Sequence, residues 1–225
     1  MFNYINTLLL AILFVFVGHN SFGQFQLNAK FSDLANEKIQ LIGFEGFDAY
    51  EIASTQANEE GEFSMNFSKD DYGMGYLSVN ENQNYILVLE KSKILLEGKD
   101  LASTDLIRII QGDENKLFAE LSNFYSLQRN ALSAWNYLSQ LYQNFPQFQK
   151  NSDTSKLIRD EIQHIEQFEK NLLSKLPKDS YVSWFIPLRK VVSEVQEVAQ
   201  RNQTAVPQTI DFFRKIDYTD ERLQI

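Results

Sequence analysis

The side chains through which this chain would do chemistry are few. Its 225 residues include no Cys, so thiolate nucleophiles, dithiol exchange, Fe–S clusters and Cys-ligated zinc are excluded for this polypeptide. Of its two histidines, His19 falls in the polar stretch Gly18–Ser21 of the N-terminal segment expected to be removed, and His164 falls between Ile162 and Ile165. An imidazole triad or dyad therefore lacks parts, and a metal site would have to rest on carboxylates. A place on a helix flank is the simpler reading of His164. Carboxylates pair at Glu59-Glu60, Asp70-Asp71, Asp160-Glu161 and Glu194 with Glu197. Separated by about 5–9.5 Å, two such groups would suit glycoside hydrolysis, but solvated turns and helix faces account for the same pairs. Asp70, Asp71, Asn80, Glu81 and Asn82 offer the hard oxygens calcium prefers if two loops met, although EF-hand spacing is absent. Gly73-Met74-Gly75-Tyr76 lacks the Gly-Lys-Ser/Thr ending of a phosphate loop and reads as a turn that needs positive φ. Trp135 and Trp184 fall on expected helix faces and read as core. Asn66-Phe67-Ser68 and Asn202-Gln203-Thr204 match the N-glycosylation pattern. The sequence thus assigns no catalytic residue, no cofactor-binding residue and no metal ligand.

Composition narrows the partners. A net charge of −9 opposes binding to a phosphate backbone, so nucleic acid is not an expected partner. A content of 44% hydrophobic and 13% aromatic residues is enough for a packed core. Residues Met1–Gly23 contain no charged side chain, and Leu8–Val17 (LLLAILFVFV) is an unbroken apolar run. Ten residues at about 1.5 Å each reach roughly 15 Å, half of a hydrocarbon core, which fits the apolar region of a signal peptide better than a spanning helix. Ser21 and Gly23 supply small residues before a cleavage site at Gln24. No Cys follows to carry a lipid, so a periplasmic or extracellular protein without a membrane anchor is expected.

The elements that would position these residues fall into two halves. From Gln24 to about Gly98 the pattern is of short strands: 25–32, 38–44, 50–57, 63–67, 76–79, 85–89 and 93–97. Phe63, Met65 and Phe67 alternate with Ser64 and Asn66, so one face of that strand is expected buried and the other wet. Turns are expected at 36–37, 58–61, 70–75, 80–84 and 98–100. After Thr104 the apolar period changes from two to about 3.6. Leu117, Leu121, Phe124, Tyr125, Leu132, Trp135, Leu138 and Tyr142 predict a helix from about Asn115 with one broad apolar face. Ile158, Ile162, Ile165, Phe168, Leu172 and Leu176 predict a second, with an N-cap among Ser152, Asp153 and Thr154 and a stop at Pro177. Further helices are expected over 181–200, interrupted at Pro187, and over 207–216. The expected fold is α+β: an N-terminal antiparallel β-sandwich or meander over 24–103, then an all-α helical lobe over 104–225.

Six segments resemble one family. KIQLIGFEGFDAYEI (Lys38–Ile52), DYGMGYL (Asp71–Leu77), GDENKLFAEL (Gly112–Leu121), LSAWNYL (Leu132–Leu138), SYVSWFIPLRKVVS (Ser180–Ser193) and IDFFRKIDYTDERL (Ile210–Leu223) are similar to the N-terminal region of exported Bacteroidota proteins. These are the TlpA-type thioredoxin-like, or alkyl hydroperoxide reductase-like, proteins with a DUF4369-like β-domain, a helical lobe and a C-terminal thioredoxin fold. The resemblance implies the accessory region without the Cys pair that performs thiol exchange, and no redox residue can be carried over. It implies a non-catalytic exported accessory or protein-interaction module, whose partner would be a thioredoxin-like domain or another exported protein. A carboxylate-based glycan-acting enzyme and a truncated remnant without independent function are the alternatives.

Overall fold

A computed structural model describes residues 24–45, 48–80, 83–148, 152–189 and 214–215. The expected signal segment 1–23 and the expected helix beyond residue 189 lie outside the described residues. So do Glu81, Asn82, Glu194, Glu197 and Asn202 and, apart from 214–215, the expected helix 207–216. Among the described residues no helix is long and apolar enough to cross a membrane.

Eight strands precede the helices: β1 (Phe25–Phe31), β2 (Lys38–Glu45), β3 (Asp48–Gln56), β4 (Glu62–Phe67), β5 (Gly73–Val79), β6 (Gln83–Leu89), β7 (Ile94–Gly98) and β8 (Arg108–Gln111). They form two four-stranded sheets, sheet A in the order β4-β1-β7-β8 and sheet B in the order β3-β2-β5-β6. The chain is α+β, with two strand-rich layers followed by helices. β1 pairs with β4 and β7 rather than with its neighbour β2, so the layers are not a simple meander. All ladders are antiparallel except one: β1 and β7 run parallel, with Leu27 opposite Ile94. Parallel neighbours need a long crossover, and everything from Ser32 to Lys93 supplies it.

Alternation places the core. Leu27, Ala29 and Phe31 of β1, Phe63, Met65 and Phe67 of β4, and Ile94 and Leu96 of β7 face Ile39, Leu41, Leu77, Val79, Leu87 and Leu89 of sheet B. Each large side chain of this kind contributes about 1.5–3 kcal/mol on burial. Phe31 stacks on Phe63 with ring centroids 6.1 Å apart. The outer face of sheet A is wet, as half-buried antiparallel sheets usually are. There Lys30 pairs with Glu60 at 3.3 Å and Glu62 at 2.9 Å, and Arg108 pairs with Glu97.

Two expectations are corrected. The sheet runs on past the expected boundary at 103: β8 reaches Gln111 and pairs with β7 through a register shift between Leu95 and Leu96. Gly73-Met74-Gly75-Tyr76 is not a turn but the start of β5, although Gly73 does take φ +146°. A Cβ on Gly75 would lie 2.8 Å from the Ile42 carbonyl and 3.0 Å from Leu89. The glycine there provides close approach between strands and core, not a reversal.

The helices are α1 (Asp113–Asn144) and α2 (Ser152–Leu173), followed by α3 over 181–189. Helical backbone continues through Pro187 to residue 189, so the expected interruption does not occur within that span. Leu121, Tyr181, Val182 and Ile186 close a second core against Val88, on the outer side of sheet B.

At Gly61 the chain takes φ +74°, and a Cβ would sit 1.9 Å from the Phe31 carbonyl oxygen, which itself belongs to the strand whose amide bonds Gly61 O at 2.9 Å. Gly61→Ala is expected to cost more than about 2 kcal/mol, read as a lowered urea midpoint with an unchanged slope; a wild-type midpoint would refute this account of the β1–β4 corner.

Candidate functional site

The most concentrated polar chemistry among the described residues lies where sheet B meets the helices. β6 is an edge strand, and at Val88 its backbone N–H and C=O point away from β5. The Asn115 side chain takes the place of the missing strand: Val88 N donates to Asn115 Oδ1 at 2.9 Å and Asn115 Nδ2 donates to Val88 O at 2.8 Å. The same amide donates to Glu90 Oε1 at 2.9 Å. Asn115 is 1% exposed and Glu90 4%, and a group that deep needs its partners made.

Two helix N-termini are served by carboxylates from elsewhere in the chain. Glu90 lies at the start of α1, where its Oε2 accepts from Glu114 N at 3.2 Å and from Ser92 Oγ at 3.2 Å. Glu114 in turn lies at the start of α3. Its Oε1 accepts from Tyr181 N at 3.0 Å, and its Oε2 from Val182 N at 3.0 Å and Ser180 Oγ at 2.7 Å. Ser180 Oγ accepts from Ser183 N at 3.2 Å and completes the cap. Negative charge at the positive end of each helix dipole adds to these bonds. Gly112, at φ +128°, is required: a Cβ there would lie 2.4 Å from Glu90 Oε1. Every oxygen of Glu90 and Glu114 therefore accepts from this chain's own donors, an arrangement suited to holding strand and helices in register.

A second buried carboxylate sets the register of the helical hairpin. Glu169 of α2, 7% exposed, accepts from Tyr125 Oη at 3.1 Å and Gln128 Nε2 at 2.7 Å, both on α1. Beside it an apolar groove of about 220 Å³ is lined by Phe124, Leu127, Gln128, Ala131, His164, Ile165 and Phe168. Burial pushes the Tyr181 phenol well above its ordinary range, and burial likewise raises Tyr85.

The residues with expected chemistry are dispersed. His164 has a side chain 76% exposed, 4.0 Å from Glu161. Asp71 caps the 3-10 turn Lys69–Asp71 through Ser68 N at 2.6 Å and accepts from Tyr50 Oη at 2.7 Å. Asn80 stands at the other end of β5, about 23 Å away for seven strand residues, so it is not brought to Asp70 and Asp71. No group of three or more Asp, Glu or His suited to a metal occurs among the described residues. Trp184 packs in the core under α3, Trp135 is half-buried on α1, and Asn66 is exposed on β4. Glu90, Asn115, Glu114, Ser180 and Glu169 escaped sequence reading; the one available signal was Asp-Glu-Asn directly after a glycine at a helix start.

Asn115→Asp turns a donor into a second negative oxygen facing Val88 O and Glu90. It is expected to lower stability by at least about 3 kcal/mol, more than Asn115→Ala, in urea denaturation; equal effects would show that the bidentate contact is unimportant. Tyr181 and Tyr85 have raised folded pKa values while the unfolded phenol titrates near about 10. Their contribution is complete below about pH 10 and is lost as pH rises toward the folded values. Site-assigned NMR of the Tyr181 and Tyr85 rings should show them ionising only together with loss of native circular dichroism above about pH 10, and ionisation of either ring with dichroism intact would refute this.

No family model matches the chain, and no curated protein matches it. A 9R-lipoxygenase from Cyanothece PCC8801 is similar at 12% identity and a TM-score of 0.24, over 81% of this chain and 29% of that one, a likeness too slight to carry an argument about fold or function.

Proposed function

We propose that this chain is an exported, non-catalytic accessory module that binds another protein, and that the partner is a thioredoxin-like thiol–disulfide oxidoreductase domain. The observation that carries the reading is the contrast between the two outer faces of the sandwich. Sheet A presents mostly polar side chains to water, Lys30, Glu62, Ser64 and Glu97 among them, with Leu95 half-buried beside these and Ile110 exposed at the β8 edge. Sheet B presents a cross-strand apolar row instead, Ile42 opposite Tyr76 and Tyr76 opposite Ile86, with the Phe44 ring 5.7 Å from Tyr76. Ile86 is 55% exposed and Phe44 37%. Helices cover the neighbouring row at Met74 and Val88, so this patch continues a face already used for packing. Apolar surface rimmed by polar residues is the usual mark of a protein contact.

The resemblance of Lys38–Ile52, Ser180–Ser193 and Ile210–Leu223 to TlpA-type proteins supports the choice of partner, and the apolar run Leu8–Val17 supports export. With no Cys, such a module contributes binding and orientation while its partner supplies the thiols.

Calorimetric titration with the exported thioredoxin-like protein of the same organism tests this. Micromolar binding is expected, weakened at least tenfold, about 1.4 kcal/mol, by Phe44→Ser with Ile86→Asp at an unchanged melting temperature. Insulin reduction by the chain alone should be absent. Failure to bind at 100 micromolar, full binding by the double variant, or turnover by a preparation free of thiol contaminants would each overturn the proposal.

A further inference from the structure

We propose that the open edge of β3 takes up an extended, lysine- or arginine-bearing segment of a partner protein as a fifth strand of sheet B. Of the four sheet edges among the described residues, β8 is four residues long, β4 is six, and β6 is capped at Val88 by Asn115. β3 is the longest strand, nine residues without Pro, Lys or Arg, and among the described residues it pairs only with β2. Its end near Gln56 leads through the Asn58–Glu62 corner into β4, so the open length is Asp48–Ala53. Alternate residues of an edge strand turn both N–H and C=O away from their neighbour, which leaves about three donors and three acceptors along those six residues. Asp48, Ala49, Tyr50 and Glu51 are exposed.

Charge selects the occupant. From Ile39 to Ser68 the chain has six carboxylates and no Lys or Arg. The β2–β3 register puts Glu51 with Ile42 on one face of the edge, and Glu45, Asp48 and Tyr50 on the other. Tyr50 Oη donates to Asp71 Oδ1 at 2.7 Å, and burial, that bond and the charges of Asp71, Glu45 and Asp70 raise the phenol above its ordinary range. Carboxylates therefore flank the open edge on both faces. Hydrogen bonds from Gln40 and Ser54 hold the Glu51 carboxyl below its ordinary range, with Lys38 two rows along a weaker influence, so Glu51 is charged at neutral pH. A strand with Lys or Arg at alternate positions pairs with these groups across the new ladder. A second copy of this chain does not fit, because it would bring the same carboxylates face to face with −9 on each chain.

Main-chain bonds supply affinity in such an addition, and alternate side chains supply the choice of partner. The register shift between Leu41 and Ile42 bends β3 at its middle, which keeps the incoming strand short. A side chain set beside Glu51 continues the row Glu51, Ile42, Tyr76 and Ile86, and a cation there meets the one carboxylate of that row. The inference does not rest on the proposed use of the sheet B face: that face offers side chains to a folded surface, whereas the edge offers backbone to an extended one.

Titration of the full chain with a seven-residue peptide that alternates lysine with valine, read by calorimetry and amide NMR, tests the inference. A dissociation constant on the order of 100 micromolar is expected at low salt, raised at least tenfold by Asp48→Lys with Glu51→Lys at an unchanged melting temperature. Slowed hydrogen exchange should fall on alternate amides of 48–53. The same peptide N-methylated throughout keeps its charge, loses every N–H donor and should bind at least tenfold more weakly. No binding at about 1 millimolar peptide, equal affinity of the methylated peptide, or protection confined to another edge would each overturn the proposal. So would affinity that the two lysine substitutions leave unchanged. The thioredoxin-like protein is absent from these samples, so failure here leaves the reading of the sheet B face standing, and failure of that protein to bind leaves this one standing.

Discussion

The amide of Asn115 decides how the two parts of this molecule meet. An edge strand exposes backbone groups that must find water or a partner, and a helix start exposes N–H groups with the same need. At Val88 and at the first turn of α1 the two needs coincide, and one side chain with one donor and one acceptor satisfies the strand while Glu90 satisfies the helix. Because both contacts are directional, α1 leaves the sandwich at a fixed angle, where hydrophobic packing alone would tolerate many. Glu114, the residue before Asn115, faces the other way and anchors α3. Strand β6 and two helices are thus fixed by the side chains of Glu90, Glu114 and Asn115.

That geometry accounts for the unequal faces of the sandwich. Once α1 and α3 are rooted on Val88 and Met74, the next outward row along β5 and β6 is only about 7 Å further on. A partner seated on Ile42, Tyr76 and Ile86 would touch the root of α1 as well as the sheet. Sheet A's outward positions, apart from Leu95 and Ile110, are polar or ion-paired among the described residues. The pairs there are exposed and add little to stability. Lys30 and Asn58 hold the Glu62 carboxyl below its ordinary range, which matters for keeping the surface solvated more than for holding the fold.

Sequence pattern revealed the strands whose faces differ and concealed those whose faces do not. β4 was legible because Phe63, Met65 and Phe67 alternate with polar residues, and α2 because its apolar positions repeat at helical spacing. β8 escaped because Arg108-Ile109-Ile110-Gln111 is four residues long and lies on an edge with a bulge, so it has no alternation to read. The parallel β1–β7 ladder depends on contacts across more than sixty residues and leaves no local trace. The glycines of β5 looked like a turn because composition records that a glycine is present but not whether it serves φ or space. The joint was hidden for a different reason: Glu114 and Asn115 are ordinary residues for a first helical turn, and only the fold shows that they serve other elements rather than their own.

Helix α1 illustrates a further limit of periodicity. Leu117, Leu121, Phe124, Tyr125, Leu132, Trp135, Leu138 and Tyr142 read as one broad face, because buried and exposed positions merge when residues are sorted only into apolar and polar. Burial separates them: Leu121 and Gln128 are enclosed, whereas Leu127 and Leu138 are not. Gln128 is the telling residue, a polar side chain on the buried stripe, retained because Glu169 accepts from it. A buried carboxylate with fixed donors tolerates little sliding, so Tyr125 and Gln128 set where α2 lies along α1.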